Sequence, residues 1–410
     1  MVVDGTARVV TNPEVDSWLA ALLTTDGREN PYPIYHRLRA MAPVAMAPDG
    51  ALVLTRYVDC DALVRNPRCG HANPDEVFTT LGLPEWREHV GLRQFSTSML
   101  NINPPDHTRI RRLVSGVFTP RRVAGLQPAI AALTAHLLAE MSGTVDFVDT
   151  FAFPLPVAVI GELLGIPAAD RPPFQALVRD WTMVLDVYDY DVLVRADAAA
   201  GQIRDYLSGL AAQRRRQPRA DLMTALVQAE SEGERLTEEE LLTTAALLFA
   251  AGFETTTYLL GNGLVSLLRY PQQLDRLRRV PGLAVSAVEE VLRFDSPVQL
   301  TGRRVLADTQ LGGLPMAPGQ RVVAYLGAAN RDPARFPDPD RLDLSRVNNV
   351  PLSFGGGIHY CLGAALARLE AQVAFPALLE RFPRIAHAGP LKRRDSLTLR
   401  GYVKMPVSLA

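Results

Sequence analysis

One segment near the C-terminus combines a cysteine with residues that could make its sulfur a metal ligand. The segment reads Phe354-Gly-Gly-Gly-Ile-His-Tyr-Cys-Leu-Gly363, and a helical pattern of apolar residues follows directly. Glycines let the backbone approach a flat ligand closely, and the amides at a helix N-terminus favour a thiolate over a thiol. A Cys361 thiolate bound to haem iron would donate electron density and so favour cleavage of an O–O bond.

Two other functions would also account for parts of this segment. A glycine run before a helix can also bind phosphate, but no Gly-Lys-Ser/Thr follows here. There is also no GxGxxG with an acidic residue about 20 positions further on, as a dinucleotide-binding fold requires. A lone cysteine is most often a small core residue. That interpretation leaves the phenylalanine, the glycines and the histidine around Cys361 unexplained.

A second group of polar residues interrupts the longest apolar pattern of the chain. It reads Ala251-Gly-Phe-Glu-Thr-Thr256. Glycine in a buried helix costs about 1 kcal/mol relative to alanine, and a carboxylate in so apolar a run needs a reason. An acid near a hydroxyl can supply protons for a reaction, which makes Glu254 and Thr255 candidate catalytic residues. The alternative is helix packing at Gly252 beside a solvated Glu254.

The elements that must position these residues are mostly helices. Thr237-Glu-Glu-Glu240 has the form of a capping box, and the helical pattern continues to Tyr270, where Pro271 ends it. Such a helix would span ~50 Å and be buried at its centre. Short runs typical of strands lie at 51–56, 299–306 and 319–324. The sequence therefore predicts a mainly α protein with small segregated β-sheets, and without any linker pattern we expect a single domain over residues 1–410.

Charge and cysteine content argue against several classes of protein. The chain has 43 basic and 44 acidic residues and a formal net charge of −1, which favours neither nucleic acid nor an anionic membrane as a partner. Its three cysteines are too few and too scattered for a disulfide framework. The most apolar stretch, 241–253, is shorter than the ~20 residues of a membrane span, and the first residues do not resemble a signal peptide. We expect a cytoplasmic protein with no membrane anchor and no nucleic-acid partner.

Together these motifs resemble those of the cytochrome P450 family. The cysteine segment matches the family's haem-binding signature, FGxGxHxCxG, at every specified position. Glu290-Val-Leu-Arg293 is similar to the family's ExxR motif, and the segment 336–346 resembles its second Arg-bearing motif. The resemblance runs over almost the whole chain. It implies the cytochrome P450 fold with a long central helix over haem b, and a buried ion-pair network of Glu290, Arg293 and Arg346 behind the haem.

The resemblance also implies roles for individual site residues. Cys361 would be the axial ligand of the iron, with Phe354 and Gly355 beside the haem. The segment 251–256 resembles the family's oxygen-activation motif. It implies a local opening of the helix for O2 and a water, a hydrogen bond from Thr255 to the bound oxygen, and a link from Glu254 to a proton supply. His107 and Arg111 are four residues apart on a predicted helix, so they can face one ligand together. The residues implied as ligands of the haem propionates are His107, Arg111, Arg303 and His359, with Arg303 preferred to Arg304 from its spacing to Asp308. The implied substrate pocket includes Phe95, Leu185, Ala250, Ala251, Val298, Leu300 and Tyr402.

The implied activity is insertion of one oxygen atom of O2 into an apolar small molecule, by hydroxylation or epoxidation. The sequence is similar in style to actinobacterial enzymes that oxidise polyketides, macrolides or terpenoids in secondary metabolism, including antibiotic biosynthesis. No cysteine spacing suits an iron–sulfur cluster, so NAD(P)H would supply electrons through a separate ferredoxin reductase and ferredoxin. We expect a monomer, with docking contacts at Arg112, Arg121, Arg122 and Arg368. Two alternatives stay open: a peroxide-dependent haem enzyme and a haem-binding protein without turnover.

Overall fold

The computed structural model describes residues 2–3, 9–10, 12–185, 189–231 and 233–410. Within these residues helices predominate, and the strands are only two to five residues long. The α-helices are α1 (Pro13–Ala21), α2 (Thr25–Glu29), α3 (Tyr32–Met41), α4 (Tyr57–Arg65), α5 (Pro74–Thr80), α6 (Val90–Ser96), α7 (Asp106–Val117), α8 (Pro120–Gly125), α9 (Gln127–Glu140), α10 (Pro154–Leu164), α11 (Phe174–Trp181), α12 (Tyr190–Arg216), α13 (Leu222–Val227), α14 (Glu238–Arg269), α15 (Pro271–Arg279), α16 (Ala284–Phe294), α17 (Leu326–Ala329) and α18 (Ala364–Arg381). Short 3₁₀ turns lie at Ala168–Asp170, Thr182–Leu185, Pro281–Leu283 and Gly357–His359, and a π-helical turn lies at Val148–Ala152.

The strands form one sheet of seven, one of three and several pairs. They are β1 (Val2–Val3), β2 (Val9–Val10), β3 (Val44–Met46), β4 (Leu52–Leu54), β5 (Cys69–Gly70), β6 (Gly143–Asp146), β7 (Glu230–Ser231), β8 (Glu234–Arg235), β9 (Thr301–Val305), β10 (Thr309–Leu311), β11 (Leu314–Met316), β12 (Arg321–Ala324), β13 (Ile385–His387), β14 (Lys392–Arg393), β15 (Tyr402–Lys404) and β16 (Pro406–Leu409). The largest sheet has the order β2-β1-β3-β4-β12-β9-β5. The prediction of a mainly α protein with small, separate sheets is confirmed.

The chain divides into two compact units. Unit 1 comprises Met1–Gly70, Thr134–Ala152 and Thr255–Ala410, and unit 2 comprises His71–Leu133 and Phe153–Glu254. The division falls inside α14, between Glu254 and Thr255. The expectation of a single domain over residues 1–410 stays a prediction.

In unit 1 the strand β4 of the seven-stranded sheet is covered on both faces. Strand β4 pairs with β3 and, in parallel, with β12. Leu52 and Leu54 pack into one apolar cluster, whereas Val53 between them packs into another around Tyr35. Because both faces of this strand are buried, its sequence is uniformly apolar instead of alternating.

Three helices of unit 1 meet closely at Gly263. A Cβ placed on Gly263 of α14 would lie 2.3 Å from Cζ of Phe375 on α18 and 3.1 Å from Cγ1 of Val291 on α16. The missing side chain therefore allows these helices to pack at short distance. This packing positions both the ExxR motif of α16 and the loop from which α18 starts.

Unit 2 holds the first half of α14 and the helices packed on it. Thr237 and Glu240 make the reciprocal hydrogen bonds of the predicted capping box, with the Glu240 N–H donating to Thr237 Oγ1 at 3.2 Å and the Thr237 N–H to Glu240 Oε2 at 2.9 Å. Further along the helix, Phe249 packs against Phe174 with ring centroids 4.8 Å apart. Aromatic packing of this kind accounts for the apolar pattern of this half of α14.

Among the described residues, no single helix has both the length and the apolar content to cross a bilayer. One bent pair, 106–125 with 127–140, meets those two criteria.

Candidate active site

The predicted metal-ligating cysteine lies in a tight loop at the start of α18. The Cys361 backbone N–H donates to the Phe354 carbonyl oxygen at 3.0 Å, and α18 begins three residues later. Gly355 and Gly357 have φ angles of +67° and +62°, in the left-handed region that favours glycine. A Cβ on Gly357 would lie only 2.4 Å from the Val64 carbonyl oxygen at the end of α4. The glycines therefore allow a compact loop that lies against α4 and holds Cys361 at the helix start.

Cys361 differs from the other two cysteines, all three of which lie in the described part of the chain. Cys60 is completely buried, its Sγ donates to the Leu54 carbonyl oxygen at 3.5 Å, and burial raises the pKa of its thiol well above the ordinary value. Cys69 is 8% exposed, and burial raises the pKa of its thiol too. Cys361 is partly exposed. Of the three sulfurs, that of Cys361 is the one placed to bind a metal, since a reactive thiolate needs both access and a stabilising environment.

The side chains beside the loop hold its two ends together. The Arg368 guanidinium lies over the Phe354 ring, 4.4 Å from its centroid, and donates to the Tyr360 hydroxyl at 3.1 Å. The same guanidinium donates through Nε and Nη2 to the two carboxylate oxygens of Glu289 on α16. Arg368 thus links α18, the loop and α16, so much of its charge is compensated within unit 1.

The ExxR motif and the second Arg-bearing motif meet in a buried network. Glu290 and Arg293 are both 0% exposed, and Arg293 donates to the two Glu290 oxygens at 2.7 and 2.8 Å. Arg346 donates to the same carboxylate at 3.1 Å, and the Asp343 backbone N–H donates at 2.8 Å. Asn349 adds a further hydrogen bond at 3.1 Å. Because every charge has hydrogen-bonded partners, the network ties α16 to the segment before the cysteine loop.

The acid–hydroxyl pair lies on an unbroken stretch of α14. Glu254 is 7% exposed, Thr255 is partly buried and Ala251, four residues before Thr255, is exposed. A Cβ on Gly252 would lie 2.7 Å from Cγ1 of Ile160 on α10. Gly252 therefore makes room for Ile160 in a helix that is continuous here. The expected local opening of the helix stays a prediction. The packing interpretation thus holds for Gly252 but not for Glu254, which is buried instead of solvated.

Arg303 is a partly buried cation that has no acidic partner among the described residues. It lies partly buried on β9, and burial lowers the pKa of its guanidinium to about 10. It donates to the Thr301 hydroxyl at 2.9 Å and to the Gly302 carbonyl oxygen at 2.7 Å, both neutral groups, and no acidic side chain of the described residues forms an ion pair with it. Arg304 is its neighbour along the strand and faces the other way. A guanidinium for a propionate and a thiolate for iron fit a haem.

The other expected propionate ligands occupy two places. His107 and Arg111 lie four residues apart on α7 in unit 2, where His107 is 2% exposed and Arg111 is partly buried. His359 lies in the 3₁₀ turn of the cysteine loop in unit 1 and is partly exposed. The structure thus brings His359 together with Cys361, and His107 together with Arg111.

Of the expected pocket residues in unit 2, three keep exposed surface. Phe95 is partly buried at the edge of an apolar cluster that contains Trp86, Leu185 is partly buried, and Ala251 is exposed. Ala250 is 5% exposed and is a buried residue of the hydrophobic core.

In unit 1, Val298 and Leu300 are partly buried, and Val298 forms an isolated bridge with Leu399. Tyr402 does not fit the expectation of a pocket residue. Its side chain is 2% exposed, the Arg393 guanidinium lies 4.0 Å from its ring centroid, and its hydroxyl accepts a hydrogen bond from Arg393 at 2.6 Å. Tyr402 is a core residue, because the buried Arg393 both packs against its aromatic ring and donates a hydrogen bond to its hydroxyl.

Two buried polar features were missed at the level of the sequence. Asp295 accepts from Tyr32 at 2.8 Å and from Arg400 at 2.7 Å, and no motif connects these distant positions. Glu370 on α18 is 1% exposed, and neither carboxyl oxygen has a hydrogen-bond partner among the described residues. The burial of Glu370 could have been predicted from the sequence. Glu370 is four residues from both Leu366 and Ala374, which puts it on the apolar side of the predicted helix.

Fold and site together define a helical protein with a cysteine-ligand loop, a buried Glu-Arg-Arg network and an acid–hydroxyl pair in a long helix. The family model described as Cytochrome P450 matches residues 174–279 and 283–404. The chain belongs to the cytochrome P450 family, and the prediction of this family, of its fold and of a monooxygenase is confirmed. Membership implies a haem cofactor and O2 as co-substrate.

Relatives and solved structures agree with this assignment. Cytochrome P450 107B1 of Saccharopolyspora erythraea is 47% identical over 365 residues, which are 87% of this chain and 89% of that protein. The vitamin D(3) 25-hydroxylase of Pseudonocardia autotrophica is 42% identical over 391 residues, 93% of this chain and 94% of that protein. The crystal structure of P450BioI in complex with hexadec-9Z-enoic acid ligated acyl carrier protein has a TM-score of 0.88 and 34% identity, covering 94% of this chain and 99% of that one.

Proposed function

We propose that this cytochrome P450 inserts one atom of O2 into an apolar small molecule, with Cys361 as the ligand of the haem iron. The observation that carries the proposal is the cysteine loop, where left-handed glycines hold a partly exposed sulfur at the start of α18. When it is bound, the haem supplies the redox chemistry with O2. The helix start and the link from Arg368 to Glu289 keep the sulfur in place.

Arg303 binds a haem propionate in this proposal. Its partly buried charge lacks an acidic partner among the described residues, so a carboxylate in its place would both satisfy the guanidinium and orient the cofactor. His107, Arg111 and His359 are the further propionate ligands that the family resemblance implies. The Glu290, Arg293 and Arg346 network stabilises the segment that leads into the cysteine loop.

In this proposal Thr255 and Glu254 transfer protons to oxygen. Thr255 is partly buried and lies one helical turn after the exposed Ala251. We assign its hydroxyl as the group that holds a proton for transfer to oxygen. Glu254, which is 7% exposed, is the carboxyl that we assign as the source of protons for this hydroxyl. An intact acid–hydroxyl pair favours O2 as the oxidant over peroxide.

Electrons come from NAD(P)H through a ferredoxin reductase and a ferredoxin. Arg121 and Arg122 at the start of α8 are exposed, and Arg112 at 38% side-chain exposure pairs with Glu234. An acidic ferredoxin attracted by such arginines would associate more slowly as salt rises. Arg368 is a weaker candidate because Glu289 compensates its charge.

The substrate is apolar, and the relatives support this class. One relative is named a vitamin D(3) 25-hydroxylase, and P450BioI was crystallised with a hexadecenoic acyl chain. Polyketides, macrolides and terpenoids of secondary metabolism are the substrates we favour. We also propose a monomer in the cytosol, where the three free cysteines would stay reduced.

Product analysis under ¹⁸O₂ tests the proposal. The holoenzyme is supplied with NADPH, reductase and ferredoxin and with vitamin D3 and a panel of macrolactones, and products are analysed by mass spectrometry. One ¹⁸O atom per product supports the proposal. Product that forms only with added hydrogen peroxide would establish the peroxide-dependent alternative, and haem binding without product from either oxidant would establish the non-catalytic one.

A further inference from the structure

In unit 1 a buried ion pair joins the end of α16 to the segment before β15. Arg400 Nε donates to Asp295 Oδ1 at 2.7 Å, and the two residues are 6% and 5% exposed. The Tyr32 hydroxyl donates to the same oxygen at 2.8 Å, and Arg393 Nη2 donates to Oδ2 at 3.3 Å. Burial alone would raise the pKa of Asp295, but Arg400 and Arg393 hold it well below its ordinary value. Asp295 is therefore an ionised carboxylate that binds both arginines.

The contacts of Arg400 leave it little freedom to move. Its Nη1 donates to the backbone carbonyl oxygens of Arg28 and Glu29, both at 2.9 Å. Asn262 of α14 is 0% exposed, and its Nδ2 donates to the backbone carbonyl oxygens of Asp295, at 3.0 Å, and of Arg400, at 2.9 Å. The two residues are thus held together by their side chains and again by their backbones.

The ion pair lies next to a short antiparallel strand pair. Residues 297–299 and 398–400 form this pair, which we call the Val298 strand pair, and two backbone hydrogen bonds of 2.7 and 2.9 Å cross it. Between these hydrogen bonds Val298 and Leu399 form a bridge. Directly opposed residues of an antiparallel pair point to the same face. Leu399 therefore lies beside Val298, which we place at the substrate pocket.

We propose that Asp295 and Arg400 are positioning residues for the substrate. Their ion pair sets where one strand of the Val298 strand pair lies against the other, and so fixes the place of Val298 and Leu399. A shift of about 1 Å in the side chains that hold a substrate changes which of its atoms is ready to react. The ion pair therefore controls which carbon of the substrate is oxidised. This effect on the substrate rests on the proposed function, but the positioning of the strand pair does not.

Hydrogen exchange of the holoenzyme tests the positioning directly. Arg400→Lys keeps the charge but lacks the planar guanidinium that binds Asp295 and two carbonyl oxygens at once. We expect the Gln299 amide, which donates across the Val298 strand pair, to exchange about tenfold faster or more. The amides of β4, inside the seven-stranded sheet, should change less than about twofold, since the opening is local. Unchanged exchange of Gln299, or an equal change in β4, would overturn the positioning role.

Two other variants complete the exchange experiment. Tyr32→Phe removes one hydrogen bond to Asp295 and keeps the ion pair, so it should speed exchange of Gln299 in the same direction but less, even if Arg400→Lys does not fold. Arg214→Lys is the matched control, because Arg214 is a buried arginine of unit 2 that pairs with Asp221 and donates to a backbone carbonyl oxygen at 2.8 Å. It should leave the exchange of Gln299 relative to β4 unchanged.

Product ratios test the effect on the substrate. Wild type, Arg400→Lys and Arg214→Lys are supplied with vitamin D3, NADPH, reductase and ferredoxin, and the hydroxylated regioisomers are separated and quantified by mass spectrometry. The ratio of the regioisomers does not depend on how much enzyme is folded, so a purely structural role would leave it unchanged. We expect the ratio of the main product to the others to change about threefold or more in Arg400→Lys only.

The two measurements separate the positioning role from the proposed function. Faster exchange of Gln299 in Arg400→Lys with an unchanged product ratio refutes the control of the oxidised carbon. If the wild type converts neither vitamin D3 nor any macrolactone, the proposed function is in doubt, while the exchange result still decides the positioning of the strand pair.

Discussion

Glu370 makes the stability of this enzyme depend on pH in a way that a single substitution removes. The carboxyl is 1% exposed without a hydrogen-bond partner among the described residues, and burial raises its pKa well above the ordinary value. The folded protein therefore keeps this proton while the unfolded chain releases it above about pH 4.3. For a group whose folded-state pKa is raised, stability is greatest below the unfolded pKa and falls as the pH rises. The free energy of unfolding of the wild type therefore falls by up to about 1.4 kcal/mol per pH unit until the pH reaches the folded-state pKa of Glu370.

Glu370→Gln keeps the size and polarity of the side chain and removes the ionisable group. The variant and the wild type should have free energies of unfolding within about 1 kcal/mol of each other near pH 4. Above pH 4 the variant should become more stable than the wild type, by up to about 1.4 kcal/mol for each further pH unit. Urea denaturation followed by circular dichroism from pH 4 to 8 measures the difference, and Glu380→Gln, at an exposed position of the same helix, is the control. Parallel pH profiles for wild type and Glu370→Gln would refute the reasoning, since they would show that Glu370 is ionised in the folded protein.

Three further predictions concern the active site. Gly357→Ala should destabilise the cysteine loop by about 2 kcal/mol or more, because the new Cβ meets a carbonyl oxygen at 2.4 Å. Gly282→Ala, whose Cβ would have no heavy atom within 4 Å, should not, and thermal unfolding of the holoenzyme compares the two variants. Arg303→Gln should lose haem on gel filtration faster than wild type, and Arg304→Gln should retain it; equal retention would contradict the propionate assignment. Thr255→Ala should form product about a hundredfold more slowly while still consuming NADPH, and unchanged product yield would exclude the hydroxyl as a proton relay.

Features set by neighbouring residues could be predicted from the sequence. The capping box at Thr237 and the length of α14 follow from local patterns, and the structure shows both. The Glu290 and Arg346 contact joins positions 56 residues apart, and only the resemblance to a known family made it predictable.

Features that depend on long-range packing were predicted poorly. The contact between Gly252 and Ile160 has no local signal, because Ile160 is remote in sequence. Tyr402 was placed in the pocket because aromatic residues suit apolar ligands, but Arg393 fixes it in the core. The Asp295 and Arg400 contact spans 105 residues and has no local pattern at all. Such contacts depend on which helices and strands become neighbours, and residue spacing does not determine that.

The central claim is that Cys361 ligates haem iron, and the visible spectrum of the dithionite-reduced protein under carbon monoxide tests it most directly. Wild type, Cys361→Ser and Cys69→Ser are compared, with Cys69 as the buried cysteine control. We expect a strongly red-shifted Soret band in wild type and Cys69→Ser that is absent from Cys361→Ser. The same band in Cys361→Ser, or an unshifted band in all three proteins, would contradict the assignment of Cys361 and with it the proposed oxygenase mechanism.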